Sequence, residues 1–151
     1  MGYWSNRRLR KFYQSQVEQI TELLDKQYKP GQLPIDTYLE ICDQKGIEPD
    51  PDEMPPDRGD YPYEVQVAFF IHDLLPDRWD GMSGSYMGKD YAALQVLLDT
   101  YEVEERKQVC LFIKHIEARN MSSVNNKISR KQKASEQKAK GGGINSANLK
   151  R

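Results

Sequence analysis

Leu9, Phe12, Tyr13, Val17, Ile20, Leu23, Leu24 and Tyr28 return every three or four positions, which is the spacing of one apolar helix face. Arg7, Arg10, Gln14, Glu18, Glu22 and Lys26 take the opposite side. Ser5 is placed to cap this helix of about 22 residues, and Pro30-Gly31 to stop it. A second, shorter helix is expected over 37–45, capped by Asp36, with Tyr38, Leu39, Ile41 and Cys42 apolar. Gly46 has the position of a C′ glycine, with Ile47 folding back behind it. Residues 48–60 hold four prolines among many acids; proline resists helix and sheet and the acids repel, so an extended surface loop is expected. Asp60 is positioned to cap a third helix that tolerates Pro62 in its first turn and ends at Pro76. Val65, Ala68, Phe69, Ile71, His72 and Leu75 lie on or near one face. Val67, Phe70 and Leu74 make this helix apolar nearly all round, as in a core or at a partner interface.

The loop 76–90 follows, with Gly81, Gly84 and Gly88 free to adopt positive φ. Trp79, Met82, Tyr86 and Met87 are large apolar side chains on that loop. They either fold back as a lid over the core or form a contact surface, since Trp, Tyr and Met are frequent at interface centres. Asp90 is expected to cap a fourth helix over 91–101, with Leu94, Leu97, Leu98 and Tyr101 inward. After a break at 102–104, a fifth helix runs to about Met121 on Val109, Phe112, Ile113 and Ile116, joined by Cys110 or Leu111. Residues 122–151 show no apolar period. They are expected to be disordered or extended alone, and helical as far as about Lys140 only when bound. No stretch alternates cleanly, so no strand is expected. The fold class is therefore all-α: a small bundle of about five helices with a basic C-terminal tail. Three regions follow: a basic, aromatic N-terminal amphipathic helix (1–30), an acidic helical core (31–121) and the basic tail (122–151).

Composition sharpens this division. The chain has 151 residues, 38% hydrophobic and 30% charged, with a net charge of −1. Residues 36–105 carry 18 acids against Lys45, Arg58, Arg78 and Lys89, whereas residues 122–151 carry eight Lys/Arg and only Glu136. Residues 1–13 carry Arg7, Arg8, Arg10 and Lys11 and no acid. Basic arms on an acidic body suit nucleic acid, an acidic protein or a neighbouring copy, or simply keep the chain soluble. Cys42 and Cys110 each sit in an apolar helical pattern, as buried free thiols in a reducing cytoplasm do. No apolar run reaches the ~18 residues that span a bilayer, and no signal-peptide pattern opens the chain.

Candidate chemistry is sparse. Three residues separate Gly84 from Gly88 where a phosphate loop has four, and Asp90 stands where it needs Ser or Thr. The acids from Asp50 onward fall out of calcium-loop register at Met54 and Pro55. Arg58-Gly59-Asp60 spells an adhesion tripeptide, a triplet that arises by chance. His72 and His115 sit in apolar helices, and no Ser or Cys occupies an elbow motif. No catalytic residue, cofactor site or metal site is assigned, and a non-enzyme is expected.

From residue 35 to about 103 the chain resembles small baseplate-hub and tail-assembly chaperone proteins of T-even-like and cyanobacterial tailed bacteriophages. The residues carrying the likeness are YLEICDQKGIEPDPDEMPPDRGDYPYEVQVAFFIHDLLPDRWDG and YMGKDYAALQVLLDTYEV. A short helix leads to an acidic Pro loop, and then Pro-Tyr-x-Val-Gln opens an apolar helix. The resemblance implies non-enzymatic work in the host cytoplasm or in the virion: binding a tape-measure or hub component in tail or baseplate assembly. It brings no catalytic residues. The expected partner surface combines Phe69, Phe70, Trp79, Met82, Tyr86 and Met87 as apolar contacts with Arg7, Arg8, Arg10, Lys127, Arg130, Lys131 and Lys133 as charged ones. Partners would be other assembly proteins or a second copy. The alternatives are a nucleic-acid-associated accessory factor in phage transcription or packaging, acting through the basic ends, and a structural subunit of a large particle. No membrane partner is expected.

Overall fold

The computed structural model describes residues 7–141, with side chains from Gln14 onward. Among these described residues, five α-helices and one small hairpin follow in order: α1 (Arg7–Gln27), α2 (Ile35–Lys45), α3 (Tyr63–Leu74), β1 (Asp77–Trp79), β2 (Tyr86–Lys89), α4 (Leu94–Thr100) and α5 (Arg106–Gly141). The structure is mostly helical, as the apolar periodicity implies.

The core is built on α3 against α5. Val65, Ala68, Phe69 and Ile71 from α3 meet Val109, Phe112, Ile113 and Ile116 from α5, with Ile20 and Leu24 of α1, Leu98 of α4 and Tyr61 closing the cluster. Each fully buried aliphatic or aromatic side chain contributes on the order of 1.5–3 kcal/mol, so these facing helix stripes hold the fold. Arg119 of α5 adds an ion pair to Asp25 of α1 at 2.7 Å. Helix α2 stands to the side. Its buried residue is Cys42, and its Tyr38 hydroxyl receives the Asp50 N–H at 3.1 Å, tying the acidic loop to it.

Prolines and local hydrogen bonds set the element boundaries. Pro34 and Pro62, not Asp36 and Asp60, are the N-cap residues of α2 and α3. Asp36 lies in the first turn of α2. Asp60 instead closes a 3₁₀ turn, Arg58–Asp60, in a reciprocal capping box with Asp57. Asp90 caps, as expected, but what it caps is a 3₁₀ turn, Tyr91–Ala93, that leads into α4. Short Asp side chains bond the nearest free N–H, which favours a tight turn over a long helix start. The end of α3 follows the proline rule: Leu75, before Pro76, is extended at φ −70°, ψ 136°. Gly46 ends α2 in the left-handed region at φ 64°. The Ile47 N–H reaches the Cys42 carbonyl at 3.0 Å, the Schellman pattern expected there, but the Ile47 side chain stays exposed.

Within the acidic loop, residues 50–54 turn rather than run extended, because the Glu53 and Met54 N–H groups both reach the Asp50 carbonyl; two larger differences follow. Residues 77–89 form an antiparallel hairpin, with Asp77 opposite Lys89, Trp79 opposite Tyr86 and an irregularity between them. Strands of three and four residues are too short to show an alternating pattern. Helix α5 continues past Met121 to Gly141, 36 residues in all, a length of about 54 Å. Side chains 131–141 are all exposed, so this last stretch stands clear of the core. The expectations for Ser5 and for 142–151 fall outside the described residues.

Candidate functional site

The polar chemistry of the molecule converges where the hairpin lies on α5. Glu117 is buried on the core side of α5, one residue beyond Ile116, and a buried carboxylate needs donors. It has two. His72, at the end of α3, gives its Nε2–H to Glu117 Oε2. The Lys89 main-chain N–H donates to Oε1 at 2.8 Å. The Tyr91 hydroxyl lies near this carboxylate, and burial first, then Glu117's negative charge, pushes that phenol up to about 12.

Gly88 is dictated by this contact. Its φ is +86°, and an added Cβ would stand 2.2 Å from Glu117 Oε1 and 3.1 Å from Met121 Sδ. The hairpin main chain therefore packs directly on the carboxylate.

Asn125, one turn beyond Met121, completes the clamp. Its side-chain oxygen accepts the Tyr86 N–H at 3.0 Å, and its NH₂ donates to the Tyr86 carbonyl at 3.0 Å. One side-chain amide thus pairs with the strand as a neighbouring peptide would. The Tyr86 ring is buried and its hydroxyl donates to Asp77 at 2.9 Å, while Asn120 donates to that hydroxyl at 3.3 Å. Burial first, then the Asp77 bond, drives the Tyr86 phenol far above its ordinary value. Asp77 also pairs with Lys89 Nζ at 2.9 Å. That bond above all, with the Tyr86 hydroxyl, holds the Asp77 carboxyl below the usual carboxylate range. At the tip, Asp80 accepts the main-chain N–H groups of Met82 and Ser83, each at 3.2 Å. At the base, the Asp90 N–H reaches the Pro76 carbonyl at 2.7 Å.

A cavity of about 280 Å³ opens beside this network. Its charged walls are already paired: Arg58 with Asp73 at 2.6 Å and Lys89 with Asp77 at 2.9 Å. The Arg-Gly-Asp triplet is likewise committed, its arginine to Asp73 and its aspartate to the capping box. Among the described residues no buried side-chain polar atom lacks a partner, and no three His, Cys, Asp or Glu converge as metal ligands. The arrangement fixes geometry: it holds a short hairpin rigidly on a helix.

The expected contact residues separate into two groups. Phe69 is 1% exposed and Tyr86 3%, so neither can offer a contact surface. Phe69 packs edge-on to Tyr61 at 5.3 Å beneath the Arg58 guanidinium. Trp79 (54% exposed), Met82 (99%) and Met87 (49%) face outward from the hairpin, and Phe70 (46%) faces outward from α3 against Tyr101. Of the loop's large apolar residues, Tyr86 folds back against the core and Trp79, Met82 and Met87 stay exposed. Lys127, Arg130, Lys131 and Lys133 are exposed on α5. Arg7, Arg8 and Arg10 lie at the start of α1, with their side chains outside the described residues. Sequence reasoning missed Glu117, Asn120 and Asn125. Glu117 did carry a signal, since it falls four residues after Ile113 on the apolar face of the helix.

No helix among the described residues is long and apolar enough to cross a membrane. No protein-family model, curated protein or solved structure matches the chain.

Proposed function

We propose that this protein is a non-enzymatic interaction factor and that the hairpin is its recognition surface. The observation carrying the reading is the outward set Trp79, Met82 and Met87 on a hairpin that Glu117 and Asn125 clamp to α5. Large apolar side chains held in one geometry bind with little ordering cost, and Trp and Met suit an apolar, helical partner segment. The titratable groups nearby pair with one another, which favours display over catalysis. The likeness of residues 35–103 to tail-assembly proteins supplies the setting. The partner would be a tape-measure or hub component, held until it enters a bacteriophage tail or baseplate. Trp79→Ala combined with Met82→Ser should abolish partner capture while leaving the melting temperature within a few degrees. A large loss of melting temperature would instead make these residues structural.

One observation favours a second reading. From Lys127 to Lys140 the exposed end of α5 carries six Lys/Arg against Glu136, a stripe that could follow a nucleic-acid backbone. It has no aromatic side chain for base stacking. The reading predicts binding to duplex DNA or RNA that falls steeply with salt and disappears on deletion of 122–151. Absence of binding at low salt would end it.

A further inference from the structure

A groove of about 910 Å³ runs between α5 and the loops that follow α1 and precede α3. Pro30, Pro34, Pro55 and Pro56 stiffen its loop side, and α5 forms the other from Arg119 to Arg130. Its charges are unequal. Arg58 and Arg119 are held by Asp73 and Asp25, but Lys29, Lys127 and Arg130 have no ion-pair partner among the described residues. The basic face continues outward, because 100° per residue puts Lys127, Lys131 and Lys138 within about 40° of one another with Arg130 beside them.

This stretch of α5 has no apolar face. A helix of that kind is marginal in water, and like charges one turn apart weaken it further. A counter-charged partner would remove both costs. The matching surface lies on the same chain. Glu48, Asp52 and Glu53 are exposed on the loop before Pro55 and have no ion-pair partner among the described residues. The segment is a pre-formed turn, with the Glu53 and Met54 N–H groups both reaching the Asp50 carbonyl, at 3.1 and 2.9 Å, and Pro49 and Pro51 restrict it further, so it can enter a groove with little further ordering.

We propose that the groove binds the acidic segment 48–53 of a second copy, with Lys29, Lys127, Arg130 and Lys131 receiving Glu48, Asp52 and Glu53. The groove wall, Pro55 to Arg58, comes directly after the acidic segment in the chain. A two-fold axis therefore lets each copy give its acidic segment and receive its neighbour's, an isologous contact that closes at the dimer. The chain's own segment 142–151 carries Lys150 and Arg151 and no acidic side chain, so it is the wrong sign for this groove. A nucleic acid also has the right sign and is the competing occupant that salt dependence and charge reversal separate.

Sedimentation velocity of the full chain at about 50 mM and about 1 M salt tests this, because exposed charge pairs are screened at the higher value. The wild type should be a dimer at low salt and a monomer at high salt, its association constant falling at least about tenfold. An acid-reversed variant (Glu48→Lys, Asp52→Lys, Glu53→Lys) should be monomeric at low salt, as should a base-reversed variant (Lys127→Glu, Arg130→Glu, Lys131→Glu). Mixing the two should restore the dimer, because each then meets opposite charge in both contacts. Asp50 is left intact because its carboxylate holds the Asp52 N–H at 2.9 Å. A wild type monomeric at low salt, a dimer that survives high salt, or no recovery on mixing would overturn the proposal. So would a monomer that binds duplex DNA at low salt. The inference is independent of the hairpin reading: Trp79→Ala and Met82→Ser should leave the dimer unchanged.

Discussion

Gly88→Ala separates the close packing of the hairpin from ordinary loop strain. Two costs add at this position. The first is conformational: φ is +86°, where a side chain costs about 1–2 kcal/mol. The second is the collision, because the new Cβ would stand 2.2 Å from Glu117 Oε1. A carboxylate on a free side chain would swing away cheaply. This one is fixed by His72 and the Lys89 N–H, so moving it breaks at least one hydrogen bond to a buried charge, about 1.5–3 kcal/mol. The sum is about 2.5–5 kcal/mol, a large part of the ~5–15 kcal/mol of a typical domain. Gly84→Ala is the control for strain alone: φ is +68° with nothing within 4 Å, so it should cost about 1–2 kcal/mol. Gly81→Ala, with open space and no positive φ, should be within about 0.5 kcal/mol of wild type. Urea unfolding of the three variants gives the comparison, with unchanged m-values required. Equal losses for Gly88→Ala and Gly84→Ala would refute the packing of the hairpin on Glu117.

Three further outcomes are expected. Asp77 has its folded pKa depressed by Lys89 first and Tyr86 second, so the unfolded chain takes up the proton more readily. Its contribution is therefore complete above the unfolded value near 3.8 and is lost as pH falls through the lower folded value. Asp77→Asn should flatten the decline of melting temperature across that window, and a slope equal to wild type would contradict the assignment. Phe69→Ala should cost about 3–5 kcal/mol as a core cavity. Phe70→Ala, half exposed with an edge contact to Tyr101, should cost about 1 kcal/mol, and thermal unfolding of the pair in parallel decides whether their roles are reversed. Asn125→Ala should free the Tyr86 main chain, seen as faster hydrogen exchange at the Tyr86 amide with little change in the α3 amides.

The helix faces were legible in the sequence because their apolar residues repeat with the helical period; Val65, Phe69 and His72 on α3 and Phe112 and Ile116 on α5 are cases. Gly46 was legible because a left-handed helix end selects glycine. The hairpin was not legible, because its partners are remote in sequence: Tyr86 is held by Asn125, 39 positions away, and Lys89 by Glu117, 28 away. The same remoteness hid the burial of Tyr86 inside a loop rich in Gly and Ser. The outer end of α5 has no apolar face from which a helix could be read. Residue type alone points to Asp36 and Asp60 as helix caps, but the prolines two positions away, Pro34 and Pro62, fix the starts of α2 and α3.

Affinity capture from cells that make the protein, at low and high salt, tests whether the hairpin recognises a protein partner. Wild-type chain and the Trp79→Ala, Met82→Ser variant would be run in parallel and the bound proteins identified by mass spectrometry. Recognition through the hairpin requires one dominant polypeptide partner that survives high salt on the wild type and is missing from the variant. The same partner retained by the variant, or only salt-labile nucleic acid on both, would contradict it.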